Sequence, residues 1–184
     1  MWDKLKSRKD LFMAKRNINS KKGFTIIEVV LVLAIAGLIF LMVFIALPAL
    51  QRSQRDTQRR DDMARFSSQL SSYQANNNGK TPGNDYKTLT SKMKTEYTNF
   101  INNYLKAAND SFADPSTGSD YTIKDVTICT KTACKQMSSS SNLGEISVYT
   151  NATCEGESPK YVQGDRKIAF TLKLEGAGIY CGHN

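Results

Sequence analysis

The sequence predicts an α+β fold in which one long N-terminal helix packs on a small antiparallel β-sheet domain with disulfide bonds. Three observations carry this prediction. The run Val29–Leu50 contains no ionisable residue. The helical pattern continues beyond that run without another proline until Pro82, and the spacing of apolar residues becomes strictly alternating late in the chain. The first part of the helix is therefore expected to cross a membrane, and the second part to pack on the sheet.

The positive charge of the chain is concentrated in front of the apolar run. The net charge is +8, and residues 1–23 hold eight lysines and arginines against two aspartates. A basic segment before an apolar one is typical of a targeting signal. The basic excess also predicts that the N-terminus stays in the cytoplasm and that the rest of the chain faces outward. Residues 1–23 are therefore predicted to be a cytoplasmic leader.

Residues 24–50 are predicted to be the transmembrane part of the helix, because about 20 apolar residues are enough to cross a bilayer. Glu28 interrupts this segment near its start. A carboxylate inside a membrane span costs roughly 2.5–3.5 kcal/mol on insertion scales, so such a residue is expected to have a function and a partner.

Residues 51–78 are predicted to continue the same helix as an amphipathic segment. Opposite charges lie four residues apart at Arg52/Asp56, Asp56/Arg60 and Asp61/Arg65. One apolar face follows, formed by Met63, Phe66, Leu70 and Tyr73. This face needs a partner, which residues 79–184 are expected to supply.

Residues 79–184 are predicted to form a globular extracellular head. After a loop rich in Gly, Pro and Asn, a second, shorter helix is indicated by apolar residues at helical spacing: Leu89, Met93, Tyr97, Phe100, Ile101, Tyr104 and Leu105. The segments 121–129 and 145–149 are predicted strands. In the stretch 167–175, one face carries Ile168, Phe170, Leu172 and Leu174, and the other carries Lys167, Thr171 and Lys173. This alternation predicts an antiparallel sheet with one solvent-exposed face.

The four cysteines all follow the apolar run. An even number of cysteines in an extracellular context indicates disulfides rather than free thiols. Three pairings are possible for Cys129, Cys134, Cys154 and Cys181. We favour Cys129 with Cys134, which closes a short loop, and Cys154 with Cys181, which ties the last strand to an earlier segment. Cysteine pairs separated by two residues, which a zinc site would usually show, are absent from the sequence.

The stretch "KKGFTIIEVVLVLAIAGLI" resembles the N-terminal signal of type IV pilins and pseudopilins. The matching features are the basic leader, Gly23, Phe24, Glu28 and the apolar run. The resemblance implies that a prepilin peptidase cleaves between Gly23 and Phe24 and that the new Phe24 amine is methylated. It also implies that the mature chain is assembled, by a pilus assembly platform in the inner membrane, into a helical filament through its long helix.

The resemblance suggests a partner for Glu28. Cleavage creates a cationic amine at Phe24, and methylation does not neutralise it. In a filament core, Glu28 is expected to pair with the Phe24 amine of another copy, and an unpaired buried charge there would cost roughly 3–5 kcal/mol. Alternatively, Glu28 lies near the membrane surface in a plain signal anchor and reaches water. That alternative leaves the Gly23–Phe24 pair and the basic leader unexplained.

The function implied by the resemblance is structural: an extracellular filament for adhesion, twitching motility or DNA uptake. One alternative is a pseudopilin of a type II secretion or competence system, because pseudopilins share the motif. Another is an exported, membrane-anchored binding domain that never polymerises. An exported enzyme is disfavoured because the single histidine, His183, is the penultimate residue of the sequence and is expected to be mobile. No cofactor is predicted.

Two further clusters of charged residues are candidate ligand-binding sites. Asp110, Asp114 and Asp120 could supply oxygen atoms to calcium, although a turn that begins at Asp114 and continues through Pro115 explains them equally well. Five arginines follow the apolar run and could contact DNA or anionic lipid headgroups: Arg52, Arg55, Arg59, Arg60 and Arg65. We favour pairing of these arginines with Asp56, Asp61 and Asp62 of neighbouring subunits.

Overall fold

The structure is a computed structural model, and it describes residues 23–86, 88–107, 111–134, 141–164, 166–176 and 178–184. The predicted leader, apart from Gly23, lies outside the described residues. The chain divides into two compact units, Met1–Phe44 and Ile45–Asn184.

The long helix predicted from the sequence is present as α1, Ile26–Asn76. It begins two residues later than expected, because residues 23–25 lie before the first helical turn. Pro48 lies inside the helix without ending it. In the first unit the described side chains are exposed, with Ala36 half-buried.

The second unit contains the amphipathic part of α1 and the head. The predicted apolar face of α1 is buried here. Met63, Phe66 and Leu70 are completely buried, and Tyr73 packs on the same core at partial exposure. Phe66 lies at the centre of an aromatic cluster, with ring centroids 4.9 Å from Phe170 and 5.5 Å from Phe100. The helix is therefore anchored to the head by aromatic packing.

The second predicted helix is present as α2, Thr90–Phe100, after a 3₁₀ turn at Asn84–Tyr86. It continues as a π-helical turn, Ile101–Leu105, in which the Lys106 N–H donates to the Ile101 carbonyl oxygen at 3.1 Å. The wider turn changes the helical phase. As a result Phe100, Ile101 and Leu105 are all buried in the core.

Six strands follow the helices: β1 Thr122–Ile128, β2 Glu145–Thr150, β3 Ala152–Glu155, β4 Ser158–Tyr161, β5 Ile168–Lys173 and β6 Ile179–His183. Four of them form a sheet in the order β1-β2-β5-β6, and β3 and β4 form a separate hairpin. The predicted fold class, a long helix packed on a small disulfide-bonded sheet domain, is confirmed.

The main sheet is mixed rather than wholly antiparallel. Strands β1 and β2 pair in parallel, whereas β2 with β5 and β5 with β6 are antiparallel. Parallel neighbours require a long connection that returns the chain to the starting end of the sheet. Residues 129–144 connect the two strands. The alternation of residues along a strand does not show whether the strand runs parallel or antiparallel to its neighbour.

The prediction that one face of the sheet is exposed was wrong. Residues Ile168–Leu172 of β5 are all buried. The second face carries a smaller cluster of Cys129, Tyr149, Ala152 and Ala169, against which Cys134, Cys154, Tyr161 and Cys181 pack. The alternation pattern did not predict this burial, because the second face of β5 carries small or hydroxyl-bearing residues rather than large apolar ones. Thr171 is one of them, and its hydroxyl donates to the Tyr149 hydroxyl at 3.4 Å.

The two disulfides join Cys129 to Cys134 and Cys154 to Cys181, the pairing favoured above. The first closes a loop directly after β1. The second connects the β3–β4 hairpin to β6, with a Cα–Cα distance of 5.8 Å. Both disulfides therefore belong to the layer that covers the second face of the sheet.

Candidate functional site

The residues predicted to be cleaved, methylated and used in assembly lie at the start of α1. The Glu28 N–H donates to the Thr25 hydroxyl at 3.3 Å. In return, Glu28 Oε2 lies 3.5 Å from both the Thr25 backbone nitrogen and the Thr25 hydroxyl oxygen. This reciprocal arrangement is a capping box, in which a Thr and a Glu three residues later satisfy the unpaired N–H groups that begin a helix.

The capping box gives Glu28 a local role that our sequence analysis missed. The signal was present as the letters "TIIE" immediately before an apolar helical run. The two contacts of Glu28 with Thr25 are at the upper limit for hydrogen bonds. The carboxylate therefore starts the helix and can still accept hydrogen bonds from a second donor.

The apolar side chains that surround Glu28 have no covering partner within the described part of the chain. Phe24 and Ile26 are each 85% exposed. By length and composition, α1 contains a segment able to cross a membrane. A continuous exposed apolar surface of this size marks a site of contact with lipid or with other protein.

Gly23 occupies open space. A Cβ atom added there would meet no other atom within 4 Å. The described structure therefore gives no packing reason for glycine at this position, and a substitution is not expected to disturb the fold.

A buried ion network joins α1 to two loops of the head. The Arg59 guanidinium donates to both carboxylate oxygens of Asp114, at 2.7 and 2.9 Å, and to Asp56 Oδ1 at 2.8 Å. The Arg59 and Asp114 side chains are both fully buried. Arg55 and Glu175 form a second ion pair at its edge. Charge-assisted pairs of this two-pronged kind are strong and directional.

Opposing effects set the pKa values within this network. Burial acts to raise the pKa of Asp114, but hydrogen bonds from Arg59 and Ser116 outweigh it and lower the pKa to about 2. Burial likewise acts to lower the pKa of Arg59, but its bonds to Asp114 and Asp56 raise it overall. All members of the network are therefore charged at neutral pH.

The four-residue spacing of Asp56 from Arg52 and Arg60 does not produce ion pairs within the described part of the chain. The Asp56 carboxylate accepts hydrogen bonds from the backbone N–H groups of Glu175 and Gly176, each at 2.8 Å, in addition to Arg59. Helical spacing indicates only partners on the same helix, whereas Glu175 and Gly176 lie in a distant loop. The sequence did hold a signal for burial, because Asp56 and Arg59 continue the three-and-four spacing of Met63, Phe66 and Leu70.

The aspartates considered for calcium have other partners. Besides the two bonds from Arg59, Asp114 Oδ1 accepts hydrogen bonds from the Ser116 N–H and hydroxyl at 2.9 and 2.6 Å. Asp120 pairs with Lys106, and Asp110 lies outside the described residues. No group of three or more possible metal ligands is found in the described ranges. Of the two interpretations, the structure therefore supports the one in which Asp114 begins a turn.

The end of the sequence is held in the fold, which corrects the expectation that His183 is mobile. His183 belongs to β6, and its carbonyl oxygen accepts from the Ser67 hydroxyl of α1 at 3.1 Å. The Asn184 side chain accepts from the Ile168 N–H and donates to Gln74. These bonds fix the last strand to both the sheet and the helix.

Comparison with known protein families identifies the N-terminal segment. Residues 18–44 match the family model described as the prokaryotic N-terminal methylation motif, which is the signal of type IV prepilins. This match confirms the resemblance seen in the sequence and supports a precursor of the type IV pilin or pseudopilin kind. No curated protein and no solved structure matches the chain.

Proposed function

We propose that the chain is a structural subunit of the type IV pilin kind, which is processed and then polymerised into an extracellular filament. The observation that carries the proposal is the combination, in one segment, of the methylation motif with an exposed apolar stretch of helix that begins at Ile26 and contains Glu28. A folded, disulfide-bonded head follows in the same chain. The motif favours a structural subunit over an enzyme.

The proposed precursor is a single-pass membrane protein with a cytoplasmic N-terminus. Residues 1–23 are the leader, residues 24–50 the membrane and assembly segment, residues 51–78 the amphipathic continuation, and residues 79–184 the extracellular head. A prepilin peptidase removes the leader after Gly23 and methylates the Phe24 amine. An assembly platform in the inner membrane then adds the mature chain to the filament.

Glu28 is proposed to select the register of assembly. In the isolated chain its carboxylate only caps its own helix, through two long contacts to Thr25. In a filament, the methylated Phe24 amine of a neighbouring copy is a stronger donor, because it is charged and sheltered from water. Two charges that meet only when subunits pack in register favour that register over others.

The task proposed for the filament is adhesion, twitching motility or DNA uptake. Polymerisation through α1 would display the head on the filament surface, and cytoplasmic motors would extend or retract the fibre. The head would then be available for contact with surfaces.

The experiment that tests the proposal is mass spectrometry of the N-terminal peptide from material sheared off producing cells. A peptide that begins at Phe24 and is heavier by one methyl group is the expected result. If the sheared material lacks the protein while the membrane fraction holds the same processed peptide, the chain is a pseudopilin or a minor subunit. A peptide that still contains the leader would overturn the proposal in favour of a membrane-anchored binding domain.

A further inference from the structure

The five arginines that follow the apolar run fall into two groups. Three of them bind the head. Arg55 pairs with Glu175, Arg59 pairs with Asp114, and Arg65 donates to the carbonyl oxygens of Leu105 and Ser111. These three guanidinium groups are therefore occupied by the fold.

Arg52 and Arg60 form the second group. Both are exposed, and neither makes a hydrogen bond or an ion pair with another residue in the part of the chain that the structure describes. They are eight residues apart on α1, which places them about 80° apart around the helix and about 12 Å apart along it. Together they line an open pocket of about 400 Å³, with Ala49, Ser53, Asp56 and Gly176.

The carboxylate in this pocket does not neutralise the two arginines. Asp56 Oδ1 accepts hydrogen bonds from Arg59 and from the Glu175 N–H, and Oδ2 accepts from the Gly176 N–H, all at 2.8 Å. Gly176 packs so closely that a Cβ atom there would lie 3.0 Å from Asp56 Oδ2. The pocket therefore presents two uncompensated guanidinium groups and the Ser53 side chain.

We propose that this pocket binds the phosphate group of an anionic phospholipid while the subunit is held in the membrane before assembly. The planar guanidinium group matches phosphate oxygens in pairs. Arg52 follows Leu50, the last residue of the apolar run, by two positions, which corresponds to headgroup depth for an inserted helix. This inference rests on the membrane insertion in the proposed function.

The direction of the helix supports one shared binding site. Side chains on an α-helix tilt toward its N-terminus. The Cα–Cβ bond of Arg60 is therefore tilted along α1 toward Arg52 and the apolar run, rather than toward the end of the helix. Long cationic side chains at the end of a membrane span commonly reach the headgroup layer in this way.

The test uses the full-length chain in nanodiscs that contain equal amounts of phosphatidylcholine and phosphatidylglycerol. Native mass spectrometry measures which lipid remains bound when the chain is released. The wild-type chain is expected to retain phosphatidylglycerol in excess, and the double variant Arg52→Gln, Arg60→Gln to lower this excess on the order of tenfold. The control Lys92→Gln, Lys131→Gln removes the same charge from the head, and is expected to keep the excess.

Three results would overturn the inference. The first is equal retention of the two lipids by the wild-type chain. The second is an equal loss of the excess in the lysine control, which would indicate a general charge effect. The third is an unchanged excess in the arginine variant together with fewer filaments, which would assign the pocket to a second copy of the chain.

Alkaline extraction of membranes separates this failure from failure of the proposed function. A chain that remains in the membrane but shows no lipid preference would contradict the phosphate site alone. A chain that is extracted as a soluble protein would contradict membrane insertion and the phosphate site together.

Discussion

Arg59 and Asp114 form a two-pronged ion pair, 2.7 and 2.9 Å long, in which both side chains are fully buried. Arg59 belongs to α1, and Asp114 begins a turn after the second helix, 55 positions later in the chain. The pair therefore joins α1 to the head by a directional contact. Aromatic packing around Phe66 holds the same two elements together along the helix.

Asp114→Asn is expected to destabilise the head by about 3–5 kcal/mol, because it leaves the Arg59 charge buried with too little compensation. Urea unfolding of the detergent-solubilised chain measures the change. Lys160→Gln, which breaks an exposed ion pair with Glu155, is the control and should change stability little. Equal effects of the two substitutions would show that the buried pair has no special role.

The stability that Asp114 contributes is expected to disappear in acid. Its pKa is about 2 in the folded chain against an ordinary value of 3.8. A lowered pKa stabilises the fold above the ordinary value, and this contribution is lost as the pH falls through the folded value. The stability difference between wild type and Asp114→Asn should therefore shrink from about pH 5 to about pH 2.

Wild type must be compared with Asp114→Asn because Asp62 has the opposite effect on the pH dependence of stability. Burial raises the pKa of Asp62, so protonation in acid removes a cost of folding at that residue. Both chains contain Asp62, and most of its effect cancels in the difference, because burial rather than the charge of Asp114 is the largest cause of the raised pKa. A difference that stays constant over this pH range would contradict the role of Asp114.

Removal of the Cys154–Cys181 disulfide is expected to cost more than removal of Cys129–Cys134. The sequence separations are 27 and 5 residues, and the chain-entropy estimate is about 3.5 kcal/mol for the longer loop and about 2 kcal/mol for the shorter one. Paired Cys→Ala variants, compared by urea unfolding, measure both values. The reverse order would indicate that packing in the second cluster, rather than loop closure, dominates.

Glu28→Ala is expected to abolish surface filaments while leaving the head folded. The substitution removes both the cap on α1 and the proposed partner of the Phe24 amine. The yield of sheared filaments measures assembly, and Glu96→Ala in α2 is a matched acidic control. Filaments at normal abundance in Glu28→Ala cells would overturn the assembly role.

A companion variant, Thr25→Val, separates the two roles of Glu28. It removes the hydroxyl that caps α1 but keeps the carboxylate. If the charge pair is what matters, Thr25→Val should still assemble. An equal loss of filaments in Thr25→Val and Glu28→Ala would show that the helix cap, rather than the charge pair, is required for assembly.

Gly23→Arg is expected to block cleavage and assembly without changing the fold. A side chain at residue 23 meets open space, so any loss of filaments would come from failed processing. Western blotting for the uncleaved precursor, together with urea unfolding of the head, measures both quantities. Normal processing of this variant would contradict the cleavage site.

The sequence by itself determined the elements that depend on neighbouring residues. The basic N-terminal segment, the apolar run and the position of Glu28 form a local pattern, and that pattern was enough to identify the methylation motif. The face of Met63, Phe66 and Leu70 was also visible, because helical periodicity is read within a few turns. Even the missed cap at Thr25 could have been read from four adjacent letters.

Only the tertiary structure decided which partners the charged residues have and how the strands of the sheet are paired and buried. Asp56 binds backbone groups 119 and 120 positions away, and no periodic pattern reports a partner at that distance. The parallel pairing of β1 with β2 depends on the direction in which the chain enters the sheet again at Glu145. The burial of Ala169 depends on the disulfide-bonded layer above it. Such contacts bring together segments whose own sequences are compatible with several arrangements, so packing of the whole chain selects among them.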